Sequence, residues 1–180
     1  MLVTALLIPP ATWAQKKAEP VKAPQKAVTR TKVPDNKRPE GKWPNEVFFC
    51  QTASPECRGL GTSFDITKLR DLYVFATWPD LSGNFTQTVE FYLPDGSLYL
   101  KKSTPFMVRN GQPLARRQAS STLPEWMFTK SRGVPAVVTP LPVAGTFITQ
   151  RNLTGTWTVR VLLDGALVMT AQFQFFVPAP

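Results

Sequence analysis

The 180-residue chain contains no histidine and only two cysteines. Without an imidazole the commonest general base, the usual zinc ligand and every His-based triad are missing, so conventional hydrolase and zinc-enzyme readings lose their principal residue. No apolar run reaches the roughly 18 residues that a membrane-spanning helix needs. No nucleophile elbow, phosphate loop or dinucleotide fingerprint is present, nor is there a fixed-period repeat or an amphipathic helical pattern of ten residues or more. Proline (18) and glycine (10) together make 28 of 180 residues, about 16%. That is too little for collagen or a low-complexity polymer.

What is present divides sharply along the chain. Residues 15–44 carry nine Lys or Arg against three Asp or Glu, a balance of +6, whereas residues 45–180 carry twelve against nine, a balance of +3. The basicity is largely a property of a tail. Such a tail attracts polyanions by long-range, salt-sensitive electrostatics, or its lysines simply keep a linker solvated and extended.

Residues 1–14, MLVTALLIPPATWA, form an apolar stretch followed by small residues, with Thr12 and Ala14 where a signal peptidase would inspect the chain before Gln15. This pattern predicts a secretory signal peptide; the other reading is a short apolar arm docked on the domain. Residues 15–44 have proline at 20, 24, 34, 39 and 44, and valine as the only aliphatic larger than alanine. Such a segment cannot bury enough apolar surface to offset chain entropy, so a disordered linker with polyproline II character is expected. Fully extended at about 3.1 Å per residue, it would reach on the order of 90 Å.

From Asn45 onward, short apolar runs of period two are broken by Gly, Pro and Asp, the pattern of antiparallel β structure. Leu72, Val74, Ala76 and Trp78 share one strand face, with Tyr73, Phe75 and Thr77 on the other. A strand from Phe85 to Leu93 leads through Pro94-Asp95-Gly96 to a second around residues 97–102, read as a tight hairpin with a type I′ turn. At the end of the chain Trp157, Val159, Val161 and Leu163 face inward, Asp164-Gly165 turns, and Leu167, Met169, Ala171, Phe173, Phe175 and Val177 return. Seven or so strands in residues 45–180 predict an all-β domain of two packed antiparallel sheets.

The stretch from Gly155 through Trp157, Val159 and Val161 to Asp164-Gly165, followed by Phe173, Phe175 and Val177, resembles the last two strands of bacterial secreted immunoglobulin-like or fibronectin type III-like sandwiches. The resemblance covers about 110 residues loosely and the last 25 at motif level. It implies an immunoglobulin-like sandwich with Greek-key wiring, and it implies no particular function, because such sandwiches host adhesion, scaffolding and carbohydrate or protein binding alike. Two departures stand out. Cys50 and Cys57 are too close in sequence to form the inter-sheet bridge of antibody domains, and no Tyr occurs after Tyr99, so there is no tyrosine corner.

Cys50 and Cys57 bracket a short polar loop in a chain read as exported, and an even cysteine count in an oxidising compartment predicts a local disulfide. Metal binding and redox catalysis are the rivals; two Cys without His make a poor zinc set, and the spacing is not C-x-x-C. Glu90 with Glu125 is a formal glycosidase pair, with nothing in the sequence to prefer it.

Residues 103–145 are the unusual part, with weak periodicity and with Arg109, Arg116, Arg117, Lys130 and Arg132 interleaved with Phe106, Trp126 and Phe128 against a single acid, Glu125. Long irregular insertions in compact sandwiches often carry function, and Arg and Trp dominate interface hot spots. The binding residues expected are Arg109, Arg116, Arg117, Trp126, Phe128, Lys130 and Arg132. The alternative is one or two edge strands whose aromatics are core and whose arginines lie on the solvated rim.

These readings add up to a periplasmic or secreted, non-enzymatic module, without cofactor, metal or transmembrane span. It is expected to serve as a structural or protein-binding component of a bacterial envelope or extracellular assembly. Its partners would be envelope or extracellular proteins, with acidic polymers as a second class for the tail and no specific nucleic acid. A carbohydrate-binding module or small carbohydrate-active enzyme is the alternative.

Overall fold

The structure, a computed structural model, describes residues 45–54, 57–116 and 123–179. The segments read as signal peptide (1–14) and linker (15–44), together with Arg117, lie outside the described residues.

The described residues are all-β. Ten strands follow one another as β1 (Val47–Cys50), β2 (Ser63–Asp65), β3 (Asp71–Thr77), β4 (Gly83–Tyr92), β5 (Leu98–Arg109), β6 (Gln112–Ala115), β7 (Phe128–Ser131), β8 (Val134–Pro142), β9 (Gly155–Leu163) and β10 (Ala166–Phe176). A 3₁₀ turn at Glu125–Met127 and a one-turn helix α1 (Phe147–Gln150) are the helical pieces. Four of the ten strands, β1, β2, β6 and β7, have only three or four residues. Runs that short show no alternation, which is why period counting finds about seven strands.

The strands form a four-stranded sheet in the order β1-β3-β8-β7 and a six-stranded sheet in the order β2-β10-β9-β4-β5-β6. All pairings are antiparallel except β2 with β10, which run parallel. The two sheets share one buried core. Leu72, Val74, Ala76, Val137 and Leu141 come from the smaller sheet, and Val89, Phe91, Phe106, Trp157, Val159, Val161, Phe173 and Phe175 from the larger. Burying apolar surface from both inner faces is what holds such layers together.

Turn chemistry sets the hairpins. Asp164 and Gly165 both adopt positive φ, +48° and +86°, and join Leu163 to Ala166 in a two-residue loop. That is the type I′ geometry whose twist matches the strands it connects. The same turn recurs at Asn110-Gly111 and Arg132-Gly133. The loop at Pro94-Asp95-Gly96 differs from the expected type I′ turn. Gly96 N–H donates to the Leu93 carbonyl at 2.9 Å and only Gly96 has positive φ. Proline fixes φ near −65° at the second position of a type I turn, so the turn starts one residue earlier and glycine closes it.

The described residues of the stretch 103–145 are largely regular rather than the irregular insertion expected. They contain the second half of β5, then β6, β7 and β8. A β-bulge between Leu167 and Met169 likewise changes the expected facing of β10. Leu167 pairs with Leu162 on the outer face and is 57% exposed, whereas Ala171, Phe173 and Phe175 keep the inward facing expected of them.

Candidate functional site

β6 ends the six-stranded sheet, β7 ends the four-stranded sheet, and the two strands lie side by side at one flank of the domain. Most of the expected binding residues fall along this flank. Arg109 ends β5 at the Asn110-Gly111 turn, and exposed Arg116 follows β6, its N–H reaching the Pro105 carbonyl at 3.5 Å. Phe128 and Lys130 belong to β7, and exposed Arg132 sits in the β7–β8 turn. The fold thus brings Arg109, Arg116, Phe128, Lys130 and Arg132 to one seam.

Their surroundings differ. Phe128 is half-buried and packs on the shared core, so its ring is committed to the fold. Trp126, in the 3₁₀ turn, is 41% exposed and meets Tyr73 edge-to-face at 5.8 Å on the outer face of the four-stranded sheet. Tyr73 has its hydroxyl pushed up from the usual range, first by burial and then by the neighbouring Asp71 carboxylate. It therefore stays neutral and serves as an apolar wall for Trp126. Exposed Arg109, Arg116 and Arg132 thus lie at the rim, with half-open Trp126 and a single acid, Glu125, in the turn that precedes β7.

The disulfide is present. Cys50 and Cys57 are bonded, with Cα atoms 5.3 Å apart. Gln51 N–H donates to the Arg58 carbonyl at 3.0 Å and Cys57 N–H to the Ser54 carbonyl at 2.8 Å, so the loop is closed by backbone as well as sulfur. Cys50 is fully buried and packs with Phe75, Ala136 and Val138, with Phe48, Cys57 and Tyr73 around them, on the outer face of the four-stranded sheet. This second apolar layer was not anticipated from the sequence. Its signal is β8, which reads as nearly continuous apolar residues and is buried on both faces.

A third cluster lies on the outer face of the six-stranded sheet. Lys101 Nζ is 2.9 Å from Glu90 Oε1, the Tyr92 hydroxyl donates to Glu90 Oε2 at 2.8 Å, and the Arg160 guanidinium lies 4.8 Å from the Tyr92 ring centre. These contacts, the Lys101 hydrogen bond foremost, hold the Glu90 carboxyl below its usual range. Glu90 is therefore a satisfied anion. Glu125 sits beside the other sheet, so the structure does not bring the two carboxylates together. Among the described residues no three His, Cys, Asp or Glu side chains gather closely enough to hold a metal ion. No helix among them is long and apolar enough to cross a membrane.

Neither a protein family nor a curated protein matches the chain.

Proposed function

We propose that the chain is an exported immunoglobulin-like module that binds a protein partner in a bacterial envelope or extracellular assembly through the seam between β6 and β7. The strand order carries the fold assignment. In variable-type immunoglobulin sandwiches one sheet runs A-B-E-D and the other G-F-C-C′-C″. Here β1-β3-β8-β7 and β10-β9-β4-β5-β6 reproduce both orders when strands are named in chain sequence. The bridge between strands B and F of antibody domains has no counterpart, and Cys50–Cys57 staples the first loop instead.

Binding rather than catalysis is supported by the state of the polar groups. Glu90 is committed to Lys101 and Tyr92, whereas Arg109, Arg116 and Arg132 are exposed. The disulfide favours an oxidising compartment, and a tail of +6 would hold the module near an anionic surface.

The deciding experiment captures partners from envelope fractions with the full chain and with a variant carrying Arg116→Glu and Arg132→Glu. The variant should lose the captured protein and keep its melting temperature. Equal capture by both proteins would remove the seam as the binding surface, and recovery of the chain in the cytosol with reduced thiols would remove the compartment.

A further inference from the structure

Like β5, whose uncovered part carries Lys101 and Lys102, and β8, whose uncovered part carries Pro140 and Pro142, β10 is a long strand that a shorter neighbour covers only in part. Along one side it pairs with β9 from Ala166 to Phe175. On the other side β2 covers only Gln174–Phe176. Gln174 N–H donates to the Thr62 carbonyl at 2.7 Å, and the Phe176 carbonyl accepts from Ile66 N–H at 3.1 Å, so these two residues aim their backbone groups toward β2. Backbone groups of every second residue point to the same side of a strand. The N–H and C=O of Gln172 and Thr170 therefore face that side too, beyond the end of β2, and no described residue pairs with them.

The composition of this edge sets it apart. β10, ALVMTAQFQFF, has eleven residues with no charge, no proline and no glycine. Natural sheets usually blunt their edges with charge, proline or brevity, and every other terminal strand here is treated in that way. β2 has three residues and carries Asp65; β1 has four. β6 carries Pro113 and β7 carries Lys130, and those two lie against one another. On β10, by contrast, Leu167 and Val168 stand 57% and 39% exposed beside the bare backbone.

We propose that this edge pairs antiparallel with the same edge of a second copy, forming a two-fold dimer with one continuous sheet. Pairing Thr170 with Gln172 of the second copy, and Gln172 with Thr170, uses all four edge-facing backbone groups on each side and places Ala171 on the axis. The small alanine suits the narrow pair at that point. A strand without charge meets no like charge in any self-paired register, which makes a second copy a fitting occupant. Assembly stops at two, because the far end of each six-stranded sheet is β6, blocked by Pro113 and flanked by β7. The inference is independent of the binding seam, since β10 and β6 lie toward opposite ends of the sheet.

Sedimentation equilibrium of the full chain tests it, alongside Thr170→Lys, Thr170→Pro and Leu114→Lys. The unsubstituted chain should dimerise. Thr170→Lys sets two lysines close together near the axis and should weaken the dimer roughly tenfold or more. Thr170→Pro removes an edge-facing N–H that bonds to nothing within the copy, and should have the same effect. Thr170→Pro should retain the melting temperature of the isolated monomer, Thr170→Lys should lower it only as far as a surface like-charge pair with Arg160 on β9 does, and Leu114→Lys, on β6, should dimerise normally. A chain that stays monomeric at every concentration overturns the proposal, as does a dimer that survives both Thr170 variants or is broken by Leu114→Lys.

Discussion

The two sheets bury the same core on their inner faces, yet their outer faces are opposites. Behind the four-stranded sheet, Phe48 and Phe75 stack with ring centres 5.0 Å apart, and Cys50, Ala136 and Val138 are fully buried, with Cys57 and Tyr73 packed against them. The outer face of the six-stranded sheet carries Thr88 bonded to Ser103, Thr158 accepting from Gln172, and the Glu90, Lys101 and Tyr92 group. The smaller sheet is a middle layer and the larger is a wall. Substitutions at matched outward positions should therefore differ by several-fold in cost.

The largest effect should come from Phe75→Ala. Although it points away from the main core, its ring is completely buried, so truncation should cost about 3 to 5 kcal/mol, as in an ordinary core site. Thr158→Ala on the other sheet should stay within about 0.5 kcal/mol. Urea titrations of both would erase the distinction between the faces if the two values came out alike.

Next in size is the disulfide. Replacing Cys50 and Cys57 by alanine together should cost about 2 to 3 kcal/mol on the chain-entropy model, with the fold retained. Cys50 and Cys57 belong to the apolar layer behind the smaller sheet, so the double variant should also bind a hydrophobic dye. A stability equal to the parent's would mean that the loop's backbone hydrogen bonds suffice.

Trp126 sharpens the boundary between the faces. Its edge-to-face contact with Tyr73 and its 41% exposure predict a loss of about 1 kcal/mol for Trp126→Ala. A loss as large as that of Phe75→Ala would place Trp126 in the core and remove it from the binding surface.

The smallest effect belongs to the charged group on the wall. Because the Glu90 carboxyl is held below its ordinary range in the folded chain, its contribution is present above the unfolded value and disappears as pH falls through the folded one. Melting temperatures of the parent and of Glu90→Gln should differ slightly near neutral pH and converge in acid. Curves that run parallel to low pH would show that the Lys101 and Tyr92 contacts contribute nothing to stability.

The sequence reveals those parts of the molecule where local chemistry and tertiary structure agree. The β9–β10 hairpin is visible because Asp164-Gly165 supplies the turn and Trp157, Val159 and Val161 supply an uninterrupted alternation. The disulfide is visible from cysteine parity. β8 is hidden by its prolines, which ordinarily argue against a central strand. The register explains how it tolerates them. β7 pairs with Val134–Val137 and β3 with Ala136–Pro142, so Pro140 and Pro142 fall where only β3 is beside them, and Pro135 lies past the paired end of β3, where its carbonyl accepts from Trp78 N–H. Asn110-Gly111 and Arg132-Gly133 were the available signals for β6 and β7. Read as turns, they divide 103–145 into strands and convert Arg132 from a loop contact into a turn residue. The bulge at Val168 leaves no trace in the pattern, because period two continues on either side of it.

Across the dry interior runs one polar chain. Trp78 Nε1 donates to Gln87 Oε1 at 2.9 Å, and Gln87 Nε2 donates to Thr139 Oγ1 at 3.1 Å, all within the buried space between the sheets. Apolar side chains attract without direction, so two greasy layers resist sliding over one another only through their shape. A directional link centred on β4, which accepts from Trp78 beside β3 and donates to Thr139 on β8, works like a key in a slot. Slipping one sheet by a residue pair would strand a buried amide, a hydroxyl and an indole N–H together, each expensive to leave unpartnered. The alignment of the two layers, and hence the meeting of β6 with β7 at the seam, is set by these three side chains as well as by the volume of the core.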